Sequence, residues 1–295
     1  MTLPDGRWTR RRFLGVTAAL PLLAAACGSS EASSTADGAG PERKAYGPGD
    51  SQFGDLWLPN GEGPFPVLVL VHGGFWRAEY DLSLMDDLAA DARDRRWAVW
   101  NIEYRRVGED GGGWPGTFDD VAAAVDHLAP LAADGVPVDM ARVAVAGHSA
   151  GGHLAAWIAD RPGLPSDAPG AAPEVRPIAV VSQAGVLDLR RAAADGVGGT
   201  ATQDLLGGEP AAVGERYDLA SPIERLPSGV PVRCVHGRQD GNVPFSQSQR
   251  FVAAAEDAGD DVVLAPFDGD HFTVLDPSLA PWKDTVAWLR PRLQP

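Results

Sequence analysis

The chain has 295 residues, 44% of them apolar and 22% charged, which is enough apolar material for one good-sized core and excludes a chain disordered or membrane-embedded throughout. Its formal net charge of −15 argues against a polyanionic partner, because nucleic-acid binders gain affinity from basic residues that neutralise phosphates. No nucleic acid is expected, and the acidic surface otherwise reads as a solubility feature.

Residues 1–27 read as an export signal to be left out of fold reasoning. Thr9-Arg10-Arg11-Arg12-Phe13-Leu14 resembles a twin-arginine signal, and the apolar stretch from Phe13 to Ala26, interrupted by Pro21, is short for a membrane span. The segment ends Leu23-Ala24-Ala25-Ala26-Cys27-Gly28, which resembles a lipoprotein cleavage site with Cys27 as the lipidated residue. Ala24 stands where such sites usually carry leucine, so an ordinary cleavage after Ala26 and free secretion stay open. Membrane contact is expected only through this lipid anchor, at the outer face of the cell membrane. Residues 28–45, rich in Ser, Ala, Gly and charge, read as a flexible tether, and 46–295 as one folded domain. The other cysteine, Cys234, lies in an apolar run and reads as a buried strand residue, so no disulfide framework is available.

Edge strands are expected around Phe53 to Leu58. Pro66 to Val71 is a continuous apolar run of the kind buried on both faces of a parallel sheet, and His72-Gly73-Gly74-Phe75-Trp76 follows it directly. Leu82 to Arg93 has helical periodicity, and Trp97 to Ile102 gives the next strand. After a Gly-rich loop, Thr117-Phe118-Asp119-Asp120 looks like a capped helix start, and His127 falls away from that helix's apolar face and is expected to be exposed.

Arg142 to Gly147 is the next strand, and it runs into Gly147-His148-Ser149-Ala150-Gly151, a Gly-x-Ser-x-Gly turn followed by an Ala-rich helix. Strand, tight turn and helix at this spacing suit a nucleophile elbow, with glycines where Cβ atoms would not fit. Ile178 to Ser182 is a further strand. Residues 186–228 break the rhythm and read as a small cap-like insertion. Val232 to His236 resumes a strand, Phe245 to Ala258 is a helix stopped by Gly259, Asp261 to Phe267 is the last strand, and Pro281 opens a final helix. Alternating strands and helices imply an α/β fold with a mostly parallel, doubly wound sheet, whose sites form at the carboxyl ends of the strands.

A serine hydroxyl needs a base to take its proton and a third group to orient that base. Of the six histidines, His271 lies in a loop after the last strand, at the sheet edge of the elbow, and is the candidate base. The other five have simpler readings, His72 as a turn residue, His148 as the variable elbow position, and His236 as a strand end among them. Asp240, in the loop after the penultimate strand, is the candidate acid and completes the chain order Ser149, Asp240, His271. Asp188 is a weaker candidate, and Asp268 and Asp270 read as turn residues. The oxyanion hole is assigned to the backbone N–H of Ala150 and that of Gly74 or Phe75. Trp76 and Trp114, with Phe75, are expected to line the substrate pocket, against the competing reading of core packing. No His-Glu-x-x-His or clustered Cys/His spacing supports a metal site.

From about Tyr46 to Arg290 the chain resembles the α/β-hydrolase superfamily, and within it the esterase and kynurenine-formamidase-like branch that carries His-Gly-Gly-x-Trp. His72 to Trp76, Gly147 to Gly152, Asp240 within His236 to Pro244, and Asp270-His271-Phe272 carry the resemblance in order. It implies a serine hydrolase without cofactor that acts on small esters or aryl formamides through an acyl-enzyme. Two alternatives stand beside it, a serine peptidase similar to the prolyl oligopeptidase group and a non-catalytic surface lipoprotein built on a hydrolase fold.

Overall fold

The apolar runs become the strands of one sheet. The computed structural model describes residues 40–294, and its strands are β1 (Glu42–Ala45), β2 (Phe53–Trp57), β3 (Phe65–Val71), β4 (Ala98–Ile102), β5 (Val138–His148), β6 (Ala179–Gln183), β7 (Val232–Gly237) and β8 (Val262–Phe267). They pair in the order β1-β2-β4-β3-β5-β6-β7-β8. The two pairings that involve β2 are antiparallel, and all those from β4 to β8 are parallel. Parallel strands need crossovers, and the helices α1 (Asp86–Asp94), α2 (Gly116–Asp126), α3 (Leu128–Ala133) and α4 (Ala150–Asp160) supply the first of them.

The unalternating run of β3 follows from burial on both faces. Val67, Val69 and Val71 join Phe118 of α2 and Leu154 of α4 on one side. Leu68 and Leu70 join Leu88 of α1 and Trp282 on the other. Side chains alternate across a strand, so a helix layer on each face requires apolar residues at every position.

The C-terminal half adds α5 (Leu189–Asp195), α6 (Ala201–Leu206), α7 (Gly214–Ala220), α8 (Ser246–Ala258) and α9 (Ala280–Leu293). The insertion at 186–228 holds the first three. Its Leu187, Leu189, Leu205, Leu206 and Tyr217 are fully buried in the same core cluster as β3 and α4, so this segment is continuous with the main core. α8 ends at Gly259 with φ 85°, the left-handed cap that favours glycine. Among the described residues, no helix is long and apolar enough to cross a membrane.

Several local expectations are corrected. The tether expected to run to residue 45 gives way to strand β1 at Glu42, where Arg43 pairs with Asp55 at 2.8 Å. As a charged, exposed edge strand it carries no apolar pattern to read. The helix expected over 82–93 is split into a 3₁₀ turn, Leu82–Met85, capped by Asp81, and then α1. Thr117 is not a cap: α2 starts at Gly116, and the Thr117 hydroxyl donates to the Arg105 carbonyl at 2.5 Å while accepting the Gly113 N–H at 3.0 Å. His127 is half-buried, its ring 6.2 Å from that of Trp100, because the helix bends there into α3.

β3 and α4 approach each other closely. A Cβ on Gly151 would stand 2.0 Å from the Val71 carbonyl oxygen and 2.5 Å from that of His72. Gly151→Ala is therefore expected to cost about 3 kcal/mol or more in urea unfolding, since a rigid backbone contact must open. Gly241→Ala, whose Cβ would meet nothing within 4 Å, should stay within about 0.5 kcal/mol of the parent. Equal stability of the two variants would show that β3 and α4 separate freely.

Candidate active site

The carboxyl ends of β3, β5, β7 and β8 lie at one edge of the sheet, and each is followed by a segment of the site. Ser149 follows β5 with φ 57° and ψ −119°, a left-handed conformation that a non-glycine residue adopts only when its surroundings enforce it. Its N–H donates to the Gln183 carbonyl at 2.8 Å, and α4 begins at Ala150. The Ala150 N–H thus belongs to the first turn of a helix, where N–H groups have no partner within the helix.

The loop after β3 comes against this elbow. Gly74, Phe75 and Trp76 have φ of 117°, 54° and 57°, and a Cβ on Gly73 would stand 3.0 Å from that of Ser149. Buried side chains hold the loop in this form. His72 Nε2 lies 2.7 Å from Glu103 Oε1, the Tyr104 hydroxyl donates to the His72 carbonyl at 2.9 Å, and the two rings stack at 4.4 Å. Arg106 pairs with Glu103 at 3.3 Å and donates to the Tyr80 carbonyl.

After β7 and β8, His271 Nδ1 lies 2.7 Å from Asp240 Oδ2. Asp240 Oδ1 accepts the N–H groups of Asn242 and Val243, each at 2.8 Å. Burial pushes this carboxyl up, but hydrogen bonds from His236, His271 and Val243 outweigh it and hold Asp240 well below the usual carboxylate range. With Asp240 on Nδ1, Nε2 is the ring nitrogen of His271 left for proton transfer. His148 packs beside it with ring centres 4.6 Å apart. Burial, and then the neighbouring His271, lower the His148 pKa to about 3, so its imidazole is neutral and its Nε2–H donates to the His271 carbonyl at 2.9 Å.

Ser149 and His271 line one small pocket of about 40 Å³, together with Gly74, Phe75, Tyr80 and Phe272. Tyr80 and Phe272, 43% and 53% exposed, stand among the few large apolar side chains open to solvent in the described residues. Larger surface grooves exist elsewhere, but they hold neither Ser149 nor His271.

Two expected pocket residues lie elsewhere. Trp76 is 1% exposed, turned into the core by the two left-handed residues at 75 and 76, and its Nε1–H donates to His153 Nδ1 at 3.2 Å. Trp114 packs edge-on against Phe118 at 5.1 Å and borders a separate groove with Pro165 and Leu219. Asp188, the weaker acid candidate, caps α5 and pairs with Arg250 at 2.7 Å, away from His271. Asp270 accepts the N–H groups of Phe272 and Thr273 in a turn.

Sequence reasoning missed Tyr80, Leu84, His148, Asn242 and Phe272 as pocket residues and His236 as a partner of Asp240. Asn242 and Phe272 lie within two residues of Asp240 and His271 and so had a signal by adjacency. Tyr80 and Leu84 had none. Cys27 lies outside the described residues. Cys234 is buried in β7, its thiol pushed up to about 12 by burial. Among the described residues, no three His, Cys, Asp or Glu side chains come together as a metal-ligand set.

A profile of the family described as BD-FAE matches residues 55–254, about two-thirds of the chain. Esterase LipC of Mycobacterium tuberculosis is 30% identical over 229 residues, which are 71% of this chain and 53% of that protein. Esterase LipQ of the same organism is 31% identical over 230 residues, 72% of this chain and 52% of that protein. The chain thus spans about half the length of these curated relatives. Among solved structures, a truncated carbohydrate esterase from gut microbiota has a TM-score of 0.74 at 22% identity, over 85% of this chain and 94% of its own. The propionate-bound esterase Est2 of Thermogutta terrifontis has a TM-score of 0.63 at 26% identity, over 79% of this chain and 85% of its own. The fold is the α/β-hydrolase fold.

Burial of neutral imidazoles makes stability depend on pH. His148 and His153, lowered to about 3 and about 4 by burial, stay neutral in the fold but take up protons in the unfolded chain below about pH 6.5. A lowered histidine pKa contributes stability above the unfolded value, and this is lost as pH falls. Urea unfolding should therefore show stability declining between about pH 6.5 and 4, with each group adding up to about 1.4 kcal/mol per pH unit. His153→Phe should remove one such contribution from the slope; an unchanged slope would contradict the neutral assignment.

Proposed function

Because the chain belongs to the BD-FAE family, we propose that it hydrolyses esters of short carboxylic acids through an acyl-enzyme on Ser149. The observation that carries this reading is the convergence of Ser149 with an Asp240-bound His271 in a single pocket of about 40 Å³. His271 Nε2 takes the hydroxyl proton as Ser149 Oγ attacks the carbonyl carbon. Asp240 holds the ring in the tautomer with the proton on Nδ1 and stabilises the imidazolium. The developing oxyanion is met by the N–H of Ala150 and by that of Gly74 or Phe75. His271 then protonates the departing alcohol and activates a water that releases the acid.

The volume sets the acyl class. Pockets for drug-sized ligands run to about 300 Å³ or more, whereas this one takes only a few heavy atoms, such as an acetyl or propionyl group. The structurally similar Est2 is known with the short acids propionate and butyrate bound. A formyl group also fits, so aryl formamides are the second substrate class. The alcohol portion extends past Tyr80 and Phe272 to solvent.

Export with a lipid on Cys27 is part of the same proposal, supported by the arginine-containing leader and the Ala-Ala-Ala-Cys sequence. Mass measurement of the mature N-terminus distinguishes a lipidated Cys27 from a chain cleaved after Ala26.

With p-nitrophenyl esters, kcat/KM should fall at least about tenfold from acetate to octanoate, as methylenes that the pocket cannot admit are added. Ser149→Ala should reduce kcat to background, a loss of about 10⁶-fold, and Asp240→Asn should lose about 10⁴-fold. A preference for octanoate would overturn the acyl assignment, and turnover of N-formylkynurenine alone would replace the ester reading by the formamide one.

A further inference from the structure

Asp240 Oδ2 has a second imidazole beside the one that it orients. His236, the penultimate residue of β7, is fully buried, with Nε2 3.2 Å from Asp240 Oδ2 and 3.0 Å from the Val243 carbonyl oxygen. On the other side of the ring, Nδ1 is 2.7 Å from the hydroxyl of Ser248 in the first turn of α8. The tautomer follows from these contacts. Nε2 faces two acceptors and must carry the proton, while Nδ1 accepts the Ser248 hydroxyl proton, the one neighbour here able to serve as either donor or acceptor. One Nε2–H is thus shared between the acid and the loop carbonyl, and Val243 in turn donates its N–H to Asp240 Oδ1 at 2.8 Å.

We infer that His236 is a positioning residue for the reaction, fixing the Asp240 carboxylate and its share of negative charge so that Oδ2 meets His271 Nδ1 in line. The inference rests on the reading of Asp240 as the acid of the Ser149 site. Without His236, Oδ2 has no neutral donor to compete with His271, and the Val243 carbonyl at the far end of the loop loses its bond to β7. The ring packs edge-on against Phe245 at 5.5 Å, which leaves it no room to turn away. The titratable groups that bear on the Asp240 carboxylate are His236, His271, His148 and the exposed Asp270.

The substitutions separate positioning from packing. His236→Leu keeps the bulk and removes the donor. It should lower kcat by about ten- to a hundredfold, less than loss of the acid itself, with KM within about twofold. Because more of the carboxylate charge is then available to the imidazolium, the acid limb of kcat/KM should move upward by about one pH unit. His236→Gln places an amide N–H near the Nε2 position and should restore most of both properties, whereas His236→Asn, whose amide reaches only the Nδ1 position, should not. An acid limb left in place or moved downward by His236→Leu, or equal behaviour of the Gln and Asn variants, would overturn the inference. Should the Leu variant not fold, the Gln and Asn variants carry the test, and the acid limb must lie higher in His236→Asn than in His236→Gln for the inference to stand. The low-field proton resonance of the His271 Nδ1–H is a readout independent of turnover. It should shift in His236→Leu and return in His236→Gln, and a resonance unmoved in both refutes the positioning role even if no ester is turned over. Absence of turnover in the parent counts against the proposed function alone.

Discussion

The site depends on one close contact, the seating of the α4 N-terminus against the end of β3. Ser149 is held at a positive φ that costs on the order of 1–3 kcal/mol, and it persists because its surroundings leave no alternative. Gly147 and Gly151 allow the chain to reverse there: a Cβ on either would come within about 2.1 Å of a carbonyl oxygen. The β3–β5 pairing and the Ser149 N–H bond to the Gln183 carbonyl lock the turn from both sides. Once α4 is seated in this way, the Ala150 N–H, the loop after β3 and the Ser149 side chain are brought to one place without further adjustment.

The order of the elements was legible because β3 and the second half of β5, from Val143 to Gly147, are apolar without alternation and each runs into a glycine-marked turn. The positions of Ser149, Asp240 and His271 were legible for a related reason, since the loops after consecutive parallel strands must emerge at the same edge. The pocket walls were not. Trp76 and Trp114 looked like lining residues because large aromatics near a turn are as suited to a pocket as to a core. The sign of φ at residues 75 and 76, which a sequence does not display, turned Trp76 inward. Tyr80 reaches the rim through a bend stabilised by Arg106 from another strand end, a long-range contact that no local pattern reports. The polar edge strand β1 was hidden because a strand with one neighbour and two exposed faces needs no apolar residue.

Histidines dominate the polar interior around the site, and three of them are held through both ring nitrogens. His72 is bound to Glu103, His153 bridges Trp76 and the Ala220 carbonyl, and His236 bridges Ser248 and Asp240. A buried imidazole can act at once as donor and acceptor without carrying charge, which suits a region where full charges would be costly to bury. The Asp240 carboxylate beside His271 is surrounded by donors, and the buried Glu103 carboxylate is met by His72 and Arg106. The pocket is small and its rim is aromatic and open, so under the proposed function selectivity on the acid is expected to be strict and selectivity on the alcohol loose.

Under the proposed function Ser149 is a nucleophile activated by His271. The most direct measurement is peptide mapping by mass spectrometry after treatment with a fluorophosphonate probe. A single adduct is expected on the peptide containing Ser149, formed far more slowly when His271 is replaced by Ala. An adduct on another residue, or labelling of Ser149 at the same rate without His271, would contradict it.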